Sequence, residues 1–234
     1  MASNSYPQCW KPESQPPKFC PGCGHLMALR ALGNVIDEMK IQNQSILGVD
    51  IGCSLLAWDF FDIDTIQTHH GRTTPVMLGL KMAQPKKIMI AYMGDGGAYA
   101  IGAQHLINSA IRDDNITVIV INNANYAMTG GQQAPTTMPG QITETTPYGK
   151  KTNFLKGPEI VKTINPHAYV ARSLATKLDL TEKFIKKALT YQIRNKGFSF
   201  LEILSPCPTN WKIPPTEIIK FLAKMQEHFP IGEL

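Results

Sequence analysis

The stretch IMIAYMGDGGAYAIGAQHLINSAIRDDNITVIVINNAN, residues 88–125, decides how this chain folds. Its two apolar runs, Ile88–Met93 and Ile116–Ile121, are short and bounded by turn formers, so both are expected as buried strands. Between them Ala98–Ile111 is expected as a helix, giving a strand, a glycine turn, a helix and a strand. At the turn, Gly94-Asp95-Gly96-Gly97 exposes backbone N–H groups at the positive end of the helix dipole, which suits a phosphate. Asp95 adds a hard carboxylate oxygen. Asn123 and the backbone after it add further oxygens at the end of the next strand, so a Mg²⁺ ion there would bridge a diphosphate to the protein. A Gly-Asp-Gly triplet alone is a turn, and paired asparagines alone end a strand. The strand–helix–strand frame makes them a candidate site.

Outside this unit, composition narrows the class. The 234 residues are 43% hydrophobic and 18% charged, enough for one sizeable core. The net charge of +5 comes without a concentrated basic run. Lys86-Lys87, Lys150-Lys151 and Lys186-Lys187 are isolated pairs expected on solvated faces, which argues against nucleic acid. No apolar run approaches the roughly 18–20 residues of a membrane span. Met1–Pro17 is polar and proline-rich, without the basic start or apolar core of a signal peptide. A soluble, cytoplasmic protein is expected, with its five cysteines serving as metal ligands or free thiols rather than disulfides.

Residues 1–17 are expected as an extended N-terminal arm, and residues 18–234 as a single domain. Cys20–His25 forms a tight Cys-Pro-Gly-Cys-Gly-His turn, followed by a helix to about Glu38 that carries Leu29, Leu32 and Ile36 on one face. Ser45–Ile51 is expected as a strand ending in Gly52-Cys53-Ser54, and a helix near Pro75–Met82 follows His69-His70-Gly71-Arg72. From Asn123 to Pro166 the chain is rich in Gly, Pro, Thr and Asn and lacks periodicity, which suggests a long functional loop. A strand at Ala168–Arg172, a helix at Thr181–Asn195, a strand at Ser199–Leu204, a turn at Ser205–Asn210 and a helix from Pro215 to about His228 complete the chain. Alternating strands and helices imply an α/β fold: one doubly wound, mostly parallel sheet. Ligands of such sheets bind beyond the carboxyl ends of the strands, where Gly52-Cys53, Gly94–Gly97, Asn122–Asn125 and Cys207 all fall.

Cys20 and Cys23 form a C-x-x-C pair, and Cys53 and Cys207 each follow an expected strand. Four thiolates converging from three loops suit a [4Fe–4S] cluster or a structural zinc, and the spacing does not separate the two. Cys9, in the arm, is expected as a free thiol.

Cys20-Pro-Gly-Cys-Gly-His25, Gly52-Cys53-Ser54, His70-Gly71-Arg72, Gly94-Asp95-Gly96, the Thr129-Gly-Gly-Gln132 loop and Cys207-Pro-Thr-Asn210 occur in this order. From about Lys18 to Trp211 the chain thereby resembles the beta subunit of 2-oxoacid:ferredoxin oxidoreductases. The Gly-Asp-Gly…Asn unit is similar to the diphosphate-and-metal motif of thiamine diphosphate enzymes. The resemblance implies a CoA-dependent oxidative decarboxylation of a 2-oxoacid to an acyl-CoA and CO₂, with electrons passed to ferredoxin. It implies a [4Fe–4S] cluster on Cys20, Cys23, Cys53 and Cys207, and Mg²⁺ on Asp95, Asn123 and the Asn125 carbonyl. Gly94, Gly96, Gly97 and Thr129 would surround the diphosphate, and Ile51, Gly52, Cys53 and Ser54 would lie beside the thiamine. His70, Gly71 and Arg72 would form a further wall, with His70 and Arg72 polarising the oxoacid or binding phosphate.

None of the glutamates falls in a motif that would activate the aminopyrimidine ring of thiamine. The family carries that residue on a partner alpha subunit, so a hetero-oligomer with the site at a subunit interface is implied, with gamma and delta subunits as further candidates. Two departures from the family pattern stand out. Ala127 occupies a position where relatives commonly have Gly, at a cost if φ there is positive. Leu55 and Leu56, with Met128, make an apolar wall that would fit a branched-chain 2-oxoacid such as 2-oxoisovalerate, while 2-oxoglutarate and pyruvate stay open. A non-oxidative thiamine decarboxylase would not need the four cysteines, and an iron–sulfur or zinc scaffold would not need Asp95 and Asn123.

Overall fold

The structure, a computed structural model, describes residues 6–14 and 18–234. Seven strands form one sheet in the order β2-β1-β3-β4-β8-β7-β9. Six are parallel: β1 (Ser45–Val49), β2 (Asp64–Gln67), β3 (Ile88–Gly94), β4 (Thr117–Asn122), β7 (Tyr169–Leu174) and β8 (Ser199–Leu204). The short β9 (Gly232–Glu233) runs antiparallel to β7 at the edge.

Helices cover both faces, which is why the central strands read as unbroken apolar runs rather than alternating ones. In β4, Ile119 and Ile121 point into a core shared with α1 (Gly24–Met39) and α5 (Leu178–Asn195), through Leu29, Leu32, Ile36 and Ile185. Val118 and Val120 point the other way, to Met77 of α2 (Thr73–Ala83), Leu106 of α3 (Ala103–Ile111) and Val161 of α4 (Gly157–Ile164). The alternation follows from successive Cβ atoms leaving a strand on opposite sides. A third apolar cluster seats α7 (Ile218–His228) over the ends of β7 and β8 through Leu222, Met225, Leu174 and Leu204.

From β1 the chain steps outward to β2, then returns across β1 to begin β3 on its other side. This reversal opens a crevice beyond the carboxyl ends of β1 and β3, the place where such sheets bind ligands.

Several expectations change. The described part of the arm, residues 6–14, packs onto the domain: Cys9 and Trp10 are buried, and Trp10 bridges Phe61. The Cys9 thiol is free and donates to the Gly33 carbonyl at 3.5 Å. Residues 1–5 and 15–17 of that expected arm lie outside the described residues. The helix expected over Ala98–Ile111 opens as a π-turn, Gly97–Ile101, before α3. The wide turn admits the backbone of Gly71, since a Cβ on Gly102 would lie 2.8 Å from the Gly71 carbonyl. The long loop contains a hairpin of β5 (Asn125–Tyr126) and β6 (Gln132–Gln133), and also α4, whose eight residues are too few for periodicity to declare. The turn after β8 includes a short helix, α6 (Pro208–Trp211).

Candidate functional site

Four loops meet at the carboxyl edge: residues 50–54 after β1, 68–72 after β2, 94–97 after β3 and 122–126 after β4. The segment 205–211 after β8 closes one side.

Asp95 lies at the floor of this crevice, 2% exposed. One carboxylate oxygen accepts the Gly96 N–H at 2.9 Å and the other accepts the Thr136 hydroxyl. Burial pushes its carboxyl up to about 7, against the pull of those two donors. Gly94 has only open space where a Cβ would project. On Gly96 a Cβ would meet the Tyr126 ring at 2.3 Å, and the Tyr126 hydroxyl donates to the Gly96 carbonyl at 3.3 Å. The turn is thus an open cradle on one side and a closed wall on the other. A buried carboxylate that pairs with no cation among the described residues fits a hard divalent ion.

Asn123 and Asn125 are buried and tied to each other: the Asn125 side-chain amide donates to the Asn123 carbonyl at 3.0 Å, and its backbone N–H to Asn123 Oδ1 at 3.3 Å. Between them Ala124 is left-handed, with φ 61, fixed by its N–H on Asn122 Oδ1 (3.1 Å) and its carbonyl on the Thr137 hydroxyl (2.6 Å). The strained residue is therefore Ala124 and not Ala127, whose φ is not positive. Trp211 Nε1 donates to the Asn123 carbonyl at 2.9 Å, and Asn210 donates to Asn125 Oδ1 at 3.2 Å. Thr129 stands apart, exposed at the tip of the β5–β6 hairpin with its hydroxyl on Gln132.

The loop after β1 places Gly52 at φ 114, with nothing within 4 Å of a Cβ position. Ile51 and Cys53 are half-buried, and Ser54 is buried with its hydroxyl donating to the Asp50 carbonyl at 3.1 Å. Leu55 and Leu56 pack against the α1-side core, whereas Met128 is 45% exposed. Gly71 is left-handed at φ 71, and Arg72 donates to the Ile101 carbonyl at 3.3 Å. His70 is partly exposed and its Nδ1 lies 3.2 Å from Asp50 Oδ2.

Asp50 and Thr136 are the residues that sequence reasoning missed. Asp50 had a signal: it is an acid directly after an apolar strand. Thr136 had none, because its contact with Asp95 spans 41 positions.

The four thiols come together on the flank of this crevice. Burial pushes Cys23 up to about 12, and Cys53, Cys207 and Cys20 each add repulsion. Cys53 rises to about 11 through burial and then the charges of Cys207 and Cys20. Cys207 is raised by burial, partly offset by the Asn210 backbone and the Asn125 side chain. Asn125 therefore touches both the asparagine turn and a thiol. Among the described residues no group of three or more His, Cys, Asp or Glu side chains is placed to hold a metal ion. His25, beside Cys23, is buried, with Nδ1 2.8 Å from the Tyr92 hydroxyl and its pKa lowered to about 3 by burial. No described helix is long and apolar enough to cross a membrane.

Residues 50–203 match the family described as thiamine pyrophosphate enzyme, C-terminal TPP binding domain. The chain is 35% identical over 221 residues to the ketoisovalerate oxidoreductase subunit VorA of Methanothermobacter thermautotrophicus, covering 91% of this chain and 46% of that one. It thus spans about half the length of that relative. It is 38% identical over 226 residues to the 2-oxoglutarate synthase subunit KorB of the same organism, covering 94% of this chain and 77% of that one. Among solved structures, a chain of the 2-oxoglutarate:ferredoxin oxidoreductase from Magnetococcus marinus, solved with 2-oxoglutarate, coenzyme A and succinyl-CoA bound, superposes with a TM-score of 0.84 at 30% identity. The match covers 95% of this chain and 74% of that chain.

Proposed function

The chain belongs to the thiamine pyrophosphate enzyme family, among the subunits of 2-oxoacid:ferredoxin oxidoreductases, and from that premise we propose that it is the coenzyme-carrying beta subunit of such an enzyme. The reaction is the CoA-dependent oxidative decarboxylation of a 2-oxoacid to an acyl-CoA and CO₂, with electrons leaving through a [4Fe–4S] cluster to ferredoxin. One observation carries this reading. The Gly-Asp-Gly-Gly cradle and four thiols near enough to repel one another lie at the carboxyl ends of one sheet, linked by the turn Gly52-Cys53 and by Asn125.

Bound thiamine diphosphate would supply the electron sink for loss of CO₂. Gly94, Gly96 and Gly97 would line its diphosphate, with the π-turn offering backbone N–H groups. Asp95, Asn123 and the Asn125 carbonyl would hold Mg²⁺, and Thr136 orients the carboxylate from behind. Cys20, Cys23, Cys53 and Cys207 would hold the cluster. Four thiolates suit a cluster or a structural zinc alike, and the resemblance to the ferredoxin-linked family favours the cluster. Glu202, whose charge reaches Asp95, is occupied by Arg172 and Tyr99 and does not serve the coenzyme ring. A partner alpha subunit supplies that acid. Leu55 and Leu56 are partly buried against the core and Met128 is the most exposed of the expected apolar wall, so the partner subunit shares in deciding which 2-oxoacid enters.

The test is anaerobic purification of the chain with its partner subunits, analysis of iron, sulfide, zinc and thiamine, and CoA-dependent viologen reduction with 2-oxoisovalerate, 2-oxoglutarate and pyruvate. Zinc without sulfide removes the cluster. Asp95→Ala is expected to abolish Mg²⁺-dependent thiamine diphosphate binding with iron retained, and loss of both together would point to misfolding instead.

A further inference from the structure

Asp50 follows directly on an apolar strand and is wholly buried. Its two oxygens have separate partners. Oδ1 accepts the Gly71 N–H at 2.7 Å, and Oδ2 lies 3.2 Å from His70 Nδ1. Burial raises the Asp50 carboxyl, while Gly71 and His70 pull it back toward the ionised form. A third neighbour is Gly97 of the cradle, where a Cβ would fall 1.7 Å from Asp50 Oδ2 and 3.3 Å from His70 Cε1. The His70 ring therefore lies edge-on to the Gly-Asp-Gly-Gly turn. Its other side meets Tyr126, with ring centroids 6.2 Å apart at 82°. One carboxylate thus joins the end of β1, the His-Gly-Arg turn and the diphosphate cradle.

The geometry points to Asp50 as a positioning residue that keeps the hydrogen of His70 on Nδ1 and so makes Nε2 the working nitrogen of the ring toward the crevice. The hydrogen bond made by one ring nitrogen sets the state of the other. With Nδ1–H donating to Oδ2, Nε2 presents a lone pair to a donor group of the bound molecule. The reverse arrangement, a carboxylic acid donating to a bare Nδ1, would put the hydrogen on Nε2. Only the first keeps Asp50 ionised for both of its contacts. An isosteric amide cannot reproduce it. In Asp50→Asn the side-chain carbonyl stays on the Gly71 N–H, and the amide NH₂ turns to His70 Nδ1 and forces the hydrogen to Nε2. The same exchange of aspartate for asparagine imposes the wrong tautomer in serine-protease triads.

The tautomer is read by long-range ¹H–¹⁵N correlation on the full chain labelled at histidine, with the His70 signal assigned by its loss in His70→Gln. The expected result is a bare Nε2 in the parent protein and an Nε2–H in Asp50→Asn, with the other five histidine signals unmoved. An Nε2–H in the parent protein overturns the assignment, and that measurement stands even if Asp50→Asn fails to fold. A tautomer unchanged by Asp50→Asn also overturns it. The task given to Nε2 rests on the thiamine diphosphate reading, so binding of Mg²⁺ and thiamine diphosphate is followed separately by tryptophan fluorescence on the chain purified with its partner subunits. Asp50→Asn is expected to weaken it about 10–100-fold, as for other groups that orient a ligand from behind. Exchange of tautomer with unaltered binding overturns the functional part. Exchange with no binding even in the parent protein supports the positioning and sinks the coenzyme reading instead.

Discussion

Replacing Gly97 by alanine adds one methyl group where the cradle has no room for it. Its Cβ would sit 1.7 Å from Asp50 Oδ2, against the roughly 3.5 Å of ordinary contact, so the carboxylate must retreat by about 2 Å. Asp50 has no exposed path to follow and is held by Gly71 and His70. Overpacking of this kind costs about 1–3 kcal/mol. Displacing the carboxylate also weakens two hydrogen bonds to a charged group, each about 1.5–3 kcal/mol. The total, about 4–9 kcal/mol if both bonds are lost, is a large share of the roughly 5–15 kcal/mol that stabilises a domain. Asp50→Ala removes the obstructing oxygens, and its own cost is the unpaired Gly71 N–H, about 1–3 kcal/mol. In the double variant the added methyl meets no carboxylate and the hydrogen bonds are lost only once. It should therefore cost less than the sum of the single changes by at least the overpacking part, about 1–3 kcal/mol. Urea denaturation of the four proteins measures this directly. Additive costs, or a neutral Gly97→Ala, would refute the close approach of these loops and with it the argument for Asp50.

The buried network beneath the crevice gives a second expectation. Arg172 is wholly buried, bonded to Glu202 at 2.7 Å and to Glu159 at 2.6 and 2.8 Å. Arg172→Met strands the buried Glu202 charge at about 3–5 kcal/mol. At about 2–4 °C per kcal/mol for a domain of this size, calorimetry should show the midpoint fall by roughly 6–20 °C, and no fall would mean the pair is not formed. The same contact sets a pH dependence. Burial alone would raise the Glu159 carboxyl, but the Arg172 guanidinium outweighs it and holds the group below its ordinary value. Its contribution is therefore complete above the ordinary glutamate range and disappears as pH falls through the lower, folded value. Glu159→Gln should flatten that acid limb in denaturation curves, and an identical limb would count against the linkage. Cys53→Ala should lower iron and sulfide content and block viologen reduction while thiamine diphosphate still binds. Reduction at the parental rate would exclude Cys53 from the electron path.

Local pattern in the sequence determined most of the architecture. Ile88–Met93 and Ile116–Ile121 could only be buried strands, and the glycine turn between them, with Asp95 and the asparagines, marked the cradle before any neighbour was known. By type and number the cysteines raised the expectation of a metal site. Those features persist because they depend on residues within a turn or two of one another, or on chemistry that a residue carries anywhere. Where the chain bends against expectation, the cause lies at a distance. The π-turn at Gly97–Ile101 accommodates the Gly71 backbone, α4 is too short to declare itself, and the described part of the arm packs down where Trp10 meets Phe61. The hold of Asp50 on His70 and Gly71, the Thr136 hydroxyl on Asp95, and the gathering of Cys20 and Cys23 with Cys53 and Cys207 were decided by tertiary structure alone. Periodicity records which side of a strand or helix a residue takes. Which loops then meet is set by strand order, here the reversal between β1 and β3, and no local run of residues encodes it.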